Sequence, residues 1–196
     1  MRQRHGRGRA LMDRIAHVRL MAHYNRWMNE RLYAAAATLD HKALHADRGA
    51  FFGSLFGTLN HLVVADTIWL KRFATLPACL TALAPLRDEP MPAALDAPRC
   101  PDLPALTEHR TRLDALIVDW TGTLTEAGLD AALPYQNMRG IPATRNVFAL
   151  LMHFFNHQTH HRGQATTLLS QSGVDMGATD LLLQIPDLTD PPVATP

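Results

Sequence analysis

The sequence predicts an all-α protein. Its expected form is a four-helix bundle with a long proline-rich crossover between helices two and three. A short hairpin, or an irregular excursion in its place, joins helices three and four. Three observations support this. Apolar residues recur every three or four positions in four separate stretches, the spacing of a helix with one buried face. Seven of the thirteen prolines fall within residues 77–104, where missing backbone donors exclude a regular element. Strand-like alternation is weak, confined to one stretch, and no internal repeat is present.

The first helix carries Ile15, Val18, Met21, Tyr24, Met28, Leu32, Ala35 and Leu39 on one face. Asp40 and Gly49 bracket the loop that follows. The second helix reads Phe52, Leu55, Leu59, Leu62, Trp69 and Phe73, with Asp66 on the same stripe, and Pro77 ends it at the latest. The crossover is long enough for the chain to travel the length of the bundle. The third helix runs from about Leu103 to Glu126, with Leu106, Leu113, Leu116, Ile117 and Trp120 inward. Leu129–Ile141 mixes apolar residues with Pro134, Gly140 and Asn137, the stretch where a hairpin fits. Thr144 is the expected N-cap of the fourth helix, which carries Val147, Leu150, Leu151, Phe154, Ala165, Leu168 and Leu169. Gly173 suits a left-handed C-cap, and Asp180–Gln184 suits one further turn.

The length of 196 residues fits one domain with an adequate core. We divide it into a basic leader over 1–10, a bundle domain over 11–185 and a proline-rich tail over 186–196. The net charge is +1, but Arg2, Arg4, Arg7 and Arg9 precede the first acid, leaving −3 for the remainder. That weakly acidic body argues against nucleic acid as a partner, and the leader lacks the aromatic or periodic pattern of a binding arm. Cys79 and Cys100 form no CxxC pair and no disulfide framework. No apolar run approaches the ~18 residues that span a bilayer. Asp13, Arg14, His17 and Arg19 interrupt any signal core. The expected protein is soluble and cytoplasmic.

Eleven histidines equal the glycines in number, so histidine is over-represented. His17, His23, His41, His45 and His109 read as ordinary helix or loop residues. The chemistry concentrates in His153, His157, His160 and His161. On a helix, positions i and i+4 lie one above the other, so His157 and His161 present two imidazoles side by side, the geometry that holds zinc in HExxH motifs. His153 continues the row, and His160 could replace His161. His61 in Thr58-Leu-Asn-His61-Leu-Val-Val-Ala65-Asp66 is the best third ligand, since bundles build metal sites from facing helices. Its same-face neighbours Gly57, Thr58 and Ala65 are small, which would leave room for an ion. Three neutral imidazoles suit zinc first and nickel second, with ferrous iron also compatible.

Ligand imidazoles also need an acceptor at the second nitrogen. Asp66 follows His61 by five residues, about 140° round the helix. It is expected instead in a buried polar contact with the first helix, at Asn25 or Trp27, while Gln164 and Asn156 are other polar neighbours. Gly163 costs a helix about 1 kcal/mol relative to alanine, which suggests close packing against another helix. Arg162 is expected to be solvated or acid-paired, and Tyr24 and Trp27 to be core aromatics.

The motif around His61, followed about a hundred residues later by His157-x-x-x-His161-Arg162-Gly163-Gln164, resembles the DinB-like family, the DinB/YfiT superfamily of metalloenzymes. Tyr24-Asn25-Arg26-Trp27-Met-Asn29-Glu-Arg31-Leu32 is similar to that family's opening helix. The likeness covers residues 12–172. It implies a four-helix bundle holding a divalent metal on His61, His157 and His161. It also implies thiol-dependent S-transfer or isomerase chemistry, and dimers.

Two function classes follow. In an enzyme the centre activates a water or a small-molecule thiol, giving hydrolase or thiol S-transferase chemistry, with the thiol brought by a low-molecular-weight cosubstrate because neither cysteine is placed as a nucleophile. In a non-catalytic metal-binding stress-response module a fourth ligand such as His153 or His160 closes the centre.

Overall fold

The computed structural model describes residues 13–187, so the basic leader and nearly all of the proline-rich tail lie outside the described residues. Six α-helices run in the order α1 (Arg14–Ala36), α2 (His41–His45), α3 (Leu55–Phe73), α4 (Leu103–Gly122), α5 (Glu126–Asp130) and α6 (Val147–Gln171). The strands β1 (Ala132–Gln136) and β2 (Pro142–Asn146) lie between α5 and α6. Each helix starts at a side-chain cap. Asp13, Asp40, Ser54, Asp102, Thr125 and Asn146 each accept a hydrogen bond from the amide three residues on. Such caps contribute about 1 kcal/mol apiece and set where each helix begins.

Helix α1 packs against α4 and α6, and α3 packs against the same two, so α1 and α3 are diagonal. Directions follow from contacts at the helix ends. Arg14 at the start of α1 bonds Glu126 and Asp130, and Arg19 donates to Gly122 O, which makes α1 and α4 antiparallel. Arg14 also lies over the Phe148 ring at the start of α6, so α1 and α6 run together. Near its start α3 bonds the segment just before α4, through Asn60 and the amide of Arg99. Near its end Phe73 meets Trp120 of α4. Helices α3 and α4 are therefore parallel neighbours. Consecutive parallel helices require the chain to return the full length of the bundle, which is what the proline-rich crossover does.

That crossover is tightly held. It contains two 3-10 turns, Pro77–Cys79 and Ala84–Leu86. Lys71 Nζ donates to three of its carbonyls, those of Leu86, Arg87 and Glu89. Asn60 Nδ2 donates to Ala97 O at 3.0 Å. Leu83 and Leu86 are buried with the bundle core of Phe73, Leu106, Ile117, Trp120, Phe154 and Phe155. Trp120 Nε1 donates to Cys79 Sγ, and both cysteines are free. No described helix is long and apolar enough to cross a membrane.

The hairpin is real and lies slightly later than Leu129–Ile141. Its strands pair from Ala132↔Asn146 to Gln136↔Pro142. Both strands are edges, so Pro134 and Pro142 cost no ladder bond to a further strand. Gly140 turns the chain at φ +75° while Asn137 Oδ1 accepts from the amides of Arg139 and Ile141.

Several boundaries differ from the sequence reading. Thr144 is not the cap of the last helix. It sits in β2 opposite Pro134, and Asn146 caps α6 without an intervening turn. The third helix stops at Gly122, because Thr125 opens the separate α5. Phe52 precedes the Ser54 cap and lies off the second helix. The loop from Asp40 contains α2. Gly173, at φ +78°, closes α6, and residues Leu181–Gln184 form the expected last turn. The segment after α6 returns along α1, where Tyr24 OH donates to Thr179 O and Arg31 to Met176 O.

Candidate metal centre

Helices α3 and α6 run antiparallel, so a row spaced by four on one faces a row spaced by four on the other. On α3 the row is His61, Ala65, Trp69, and on α6 it is His161, His157, His153. His61, His157 and His161 come together, with one donor nitrogen from each within 4.8 Å of the others. Their ring centroids are 4.4–5.2 Å apart.

His61 Nδ1 lies 2.8 Å from Leu95 O, in the crossover. A carbonyl can only accept, so Nδ1 carries the hydrogen and Nε2 presents its lone pair. His161 Nδ1 lies 2.8 Å from Gln164 Oε1 and is held in the same way. The Nε2 atoms of His61 and His157 are 3.3 Å apart. Two nitrogen ligands at about 2.0–2.1 Å on one tetrahedral ion stand about 3.3–3.4 Å apart. The donor set and the orienting acceptors therefore fit a divalent cation.

Electrostatics agree with that chemistry. Burial, outweighing the Leu95 bond, pushes His61 down to about 4. Burial and the neighbouring histidines push His157 down to about 3. Burial also lowers His161. All three imidazoles are thus neutral at pH 7, with no proton to displace before binding a metal.

His160 and His153 adjoin the group without joining it. His160 is exposed and receives Gln164 Nε2 at 3.5 Å. His153 meets Trp69 edge-on at 5.1 Å, and burial together with the charges of Arg145 and Arg72 lowers its pKa. Neither belongs to the group of three.

The space beside His61 is not left open by small residues, as the sequence suggested. The Phe52 ring stacks on His61 at 3.8 Å and an interplanar angle of 17°. Gly57 is what allows this: a Cβ there would lie far inside van der Waals contact with the Phe52 carbonyl oxygen. Gly163 does not serve close helix packing, since an added Cβ would meet nothing within 4 Å. Asn156 is exposed and makes no bond to the three histidines, whereas Gln164 does.

Asp66 also differs from expectation, because it does not bond the first helix. It accepts from Arg110 of α4, which also pairs with Asp114 at 2.9 Å. Asp114 in turn accepts from Asn25 and Asn29 of α1. Arg162, expected at the surface or beside an acid, is buried. It donates to Asn25 and Gln158 and lies over the Tyr24 ring. This polar network joins all four long helices next to the candidate ligands. Burial pushes the Asp66 carboxyl up to about 6 against the pull of Arg110.

The DinB family model matches residues 12–188. The chain is also similar to Protein DinB of Bacillus subtilis (strain 168), 25% identical over 159 residues, which is 80% of this chain and 87% of that protein. No solved structure matches it.

Proposed function

The chain belongs to the DinB family, and from that premise we propose that it is a metal-dependent enzyme whose ligands are His61, His157 and His161. Zinc is the first expectation and nickel the second. The observation that carries this reading is the 3.3 Å approach of the Nε2 atoms of His61 and His157, the first of them oriented by Leu95 O.

A divalent cation at this position would lower the pKa of a water or a small-molecule thiol and so provide an anionic nucleophile near neutral pH. The chain's own part is binding and orientation. Leu95 O and Gln164 Oε1 hold the tautomers of His61 and His161. Phe52 covers one face of His61 and keeps solvent from it. Three protein ligands leave a position for substrate, and neither His153 nor His160 belongs to the group whose donor atoms lie within 4.8 Å of one another, which supports a catalytic rather than a closed centre. Cys79 is buried behind Trp120, so the thiol of a transferase reaction comes from a cosubstrate. We expect thiol S-transfer or hydrolysis on a small molecule, by a cytoplasmic homodimer.

The test is elemental analysis of the purified protein, followed by assays with low-molecular-weight thiols and electrophiles. About one ion per chain is expected. His157→Ala and His161→Ala should each remove it, and unchanged metal content in both variants would overturn the assignment.

A further inference from the structure

Past the three histidines the facing rows of α3 and α6 open into a recess of about 390 Å³ lined by Trp69, Tyr135, Arg145, Ala149, Leu150 and His153. That volume is in the range of small-molecule sites. Two walls are aromatic, with Trp69 and Tyr135 centroids 5.4 Å apart. Arg72 lies over both rings, at 4.7 and 5.0 Å. Arg145 Nε donates to Tyr135 OH at 3.2 Å. That bond orients the guanidinium, whose terminal nitrogens have no hydrogen-bond partner among the described residues.

A surface arginine is ordinarily just solvated or paired with an acid. Among the described residues most arginines have no carboxylate within ion-pair distance, Arg72 and Arg145 included; what sets these two apart is that both contact the aromatic rings of one recess. The recess therefore combines flat apolar walls with uncompensated positive charge. A guanidinium fork matches a carboxylate in two parallel hydrogen bonds.

We propose that this recess is the binding subsite for the planar, anionic part of the substrate, an aromatic or conjugated carboxylate. The carboxylate bonds Arg145 and the ring lies against Trp69 and Tyr135. The placement suits delivery to the metal centre. His153 and His157 are one helical turn apart, about 6 Å along the axis, and their ring centroids are 5.9 Å apart. A ligand anchored at Arg145 thus extends its reacting atom toward His157. The inference rests on the metal reading for that reacting end only, since the anchor is complete without a metal.

Benzoate is the probe and benzamide its neutral counterpart, both titrated onto the full-length protein with ligand-observed NMR. Benzoate should bind saturably, and benzamide about tenfold more weakly, the difference made by one charge-assisted bond. Arg145→Gln should weaken benzoate by a similar factor. Ala149→Met, which fills the recess without altering charge, should weaken it as well. His157→Ala should leave benzoate affinity within about twofold, because the anchor does not use the metal. The proposal fails if benzoate does not bind, if benzamide binds equally, or if Arg145→Gln changes nothing. It also fails if His157→Ala abolishes benzoate binding, which would place benzoate on the cation. Metal content unchanged in both His157→Ala and His161→Ala, with benzoate still bound through Arg145, would refute the metal reading and support this one.

Discussion

Replacing Arg110 by methionine tests the buried network most directly. Arg110 contacts Asp66 and Asp114, and all three side chains are 3% exposed or less. Methionine keeps much of the apolar stem volume, so the change removes charge more than packing. Two carboxylates are then left in the core with their principal cation gone. Breaking a buried pair from one side costs about 3–5 kcal/mol, a large part of a typical stability of about 5–15 kcal/mol. The triple variant Arg110→Met, Asp66→Asn, Asp114→Asn removes the uncompensated charge and should recover most of that loss. Urea unfolding followed by far-UV circular dichroism measures each step. The deficit of the single variant should also narrow between about pH 7 and pH 5. Carboxyls whose folded pKa is raised destabilise the protein when ionised, and protonation relieves this. A cost below about 1 kcal/mol, or a triple variant no better than the single one, would show that the network is not what holds these helices in register.

Three further outcomes are expected. Metal-free protein should lose stability on acidification, because His61 with a folded pKa of about 4 stays neutral while its unfolded counterpart takes up a proton below about 6.5. That term alone is about 2 kcal/mol at pH 5, larger than the opposing gain of about 1.4 kcal/mol from Asp66, so a flat urea-midpoint profile from pH 7.5 to 5 would contradict it. Gly57→Ala should push the Phe52 backbone away from α3, costing about 1–3 kcal/mol in thermal melts and weakening metal retention, whereas Gly163→Ala should be neutral or stabilising. Lys71→Met should free the carbonyls of Leu86, Arg87 and Glu89, and limited proteolysis should then cut the crossover near them faster than in the parent.

The helices and two-thirds of the centre were legible because both depend on short-range spacing. His157 and His161 are brought together by one helix, and the proline density of 77–104 ruled out regular structure there. Finding His61 needed the family resemblance as well, because nothing local says which distant helix faces α6. The buried polar network depends on contacts between helices that no local spacing encodes. Arg110 occupies the inward position between Leu106 and Leu113, on the stripe that continues to Ile117, and Arg162 similarly lies inward near Ala165. An arginine at an inward position of an apolar stripe is the signal such a network leaves in a sequence, and periodicity alone does not say which acid it meets. Asp66 lies on the stripe that the periodicity predicts, but its partner is Arg110 of α4 and not a residue of α1. Asn146 rather than Thr144 caps α6 because a strand running straight into a helix leaves no turn residue to mark the junction.

The two oriented histidines differ in how exposed they are to mutation. His161 takes its orientation from the Gln164 side chain, which one codon change removes. His61 takes its orientation from the main-chain oxygen of residue 95, which every amino acid carries. Replacing the Leu95 side chain leaves that acceptor in place as long as the crossover keeps its path. That path is secured by Asn60 and Lys71, at some distance along the chain. One of the two oriented ligands is therefore heritable as the course of a loop, and the residue that orients it can drift in side-chain identity while keeping the same imidazole tautomer.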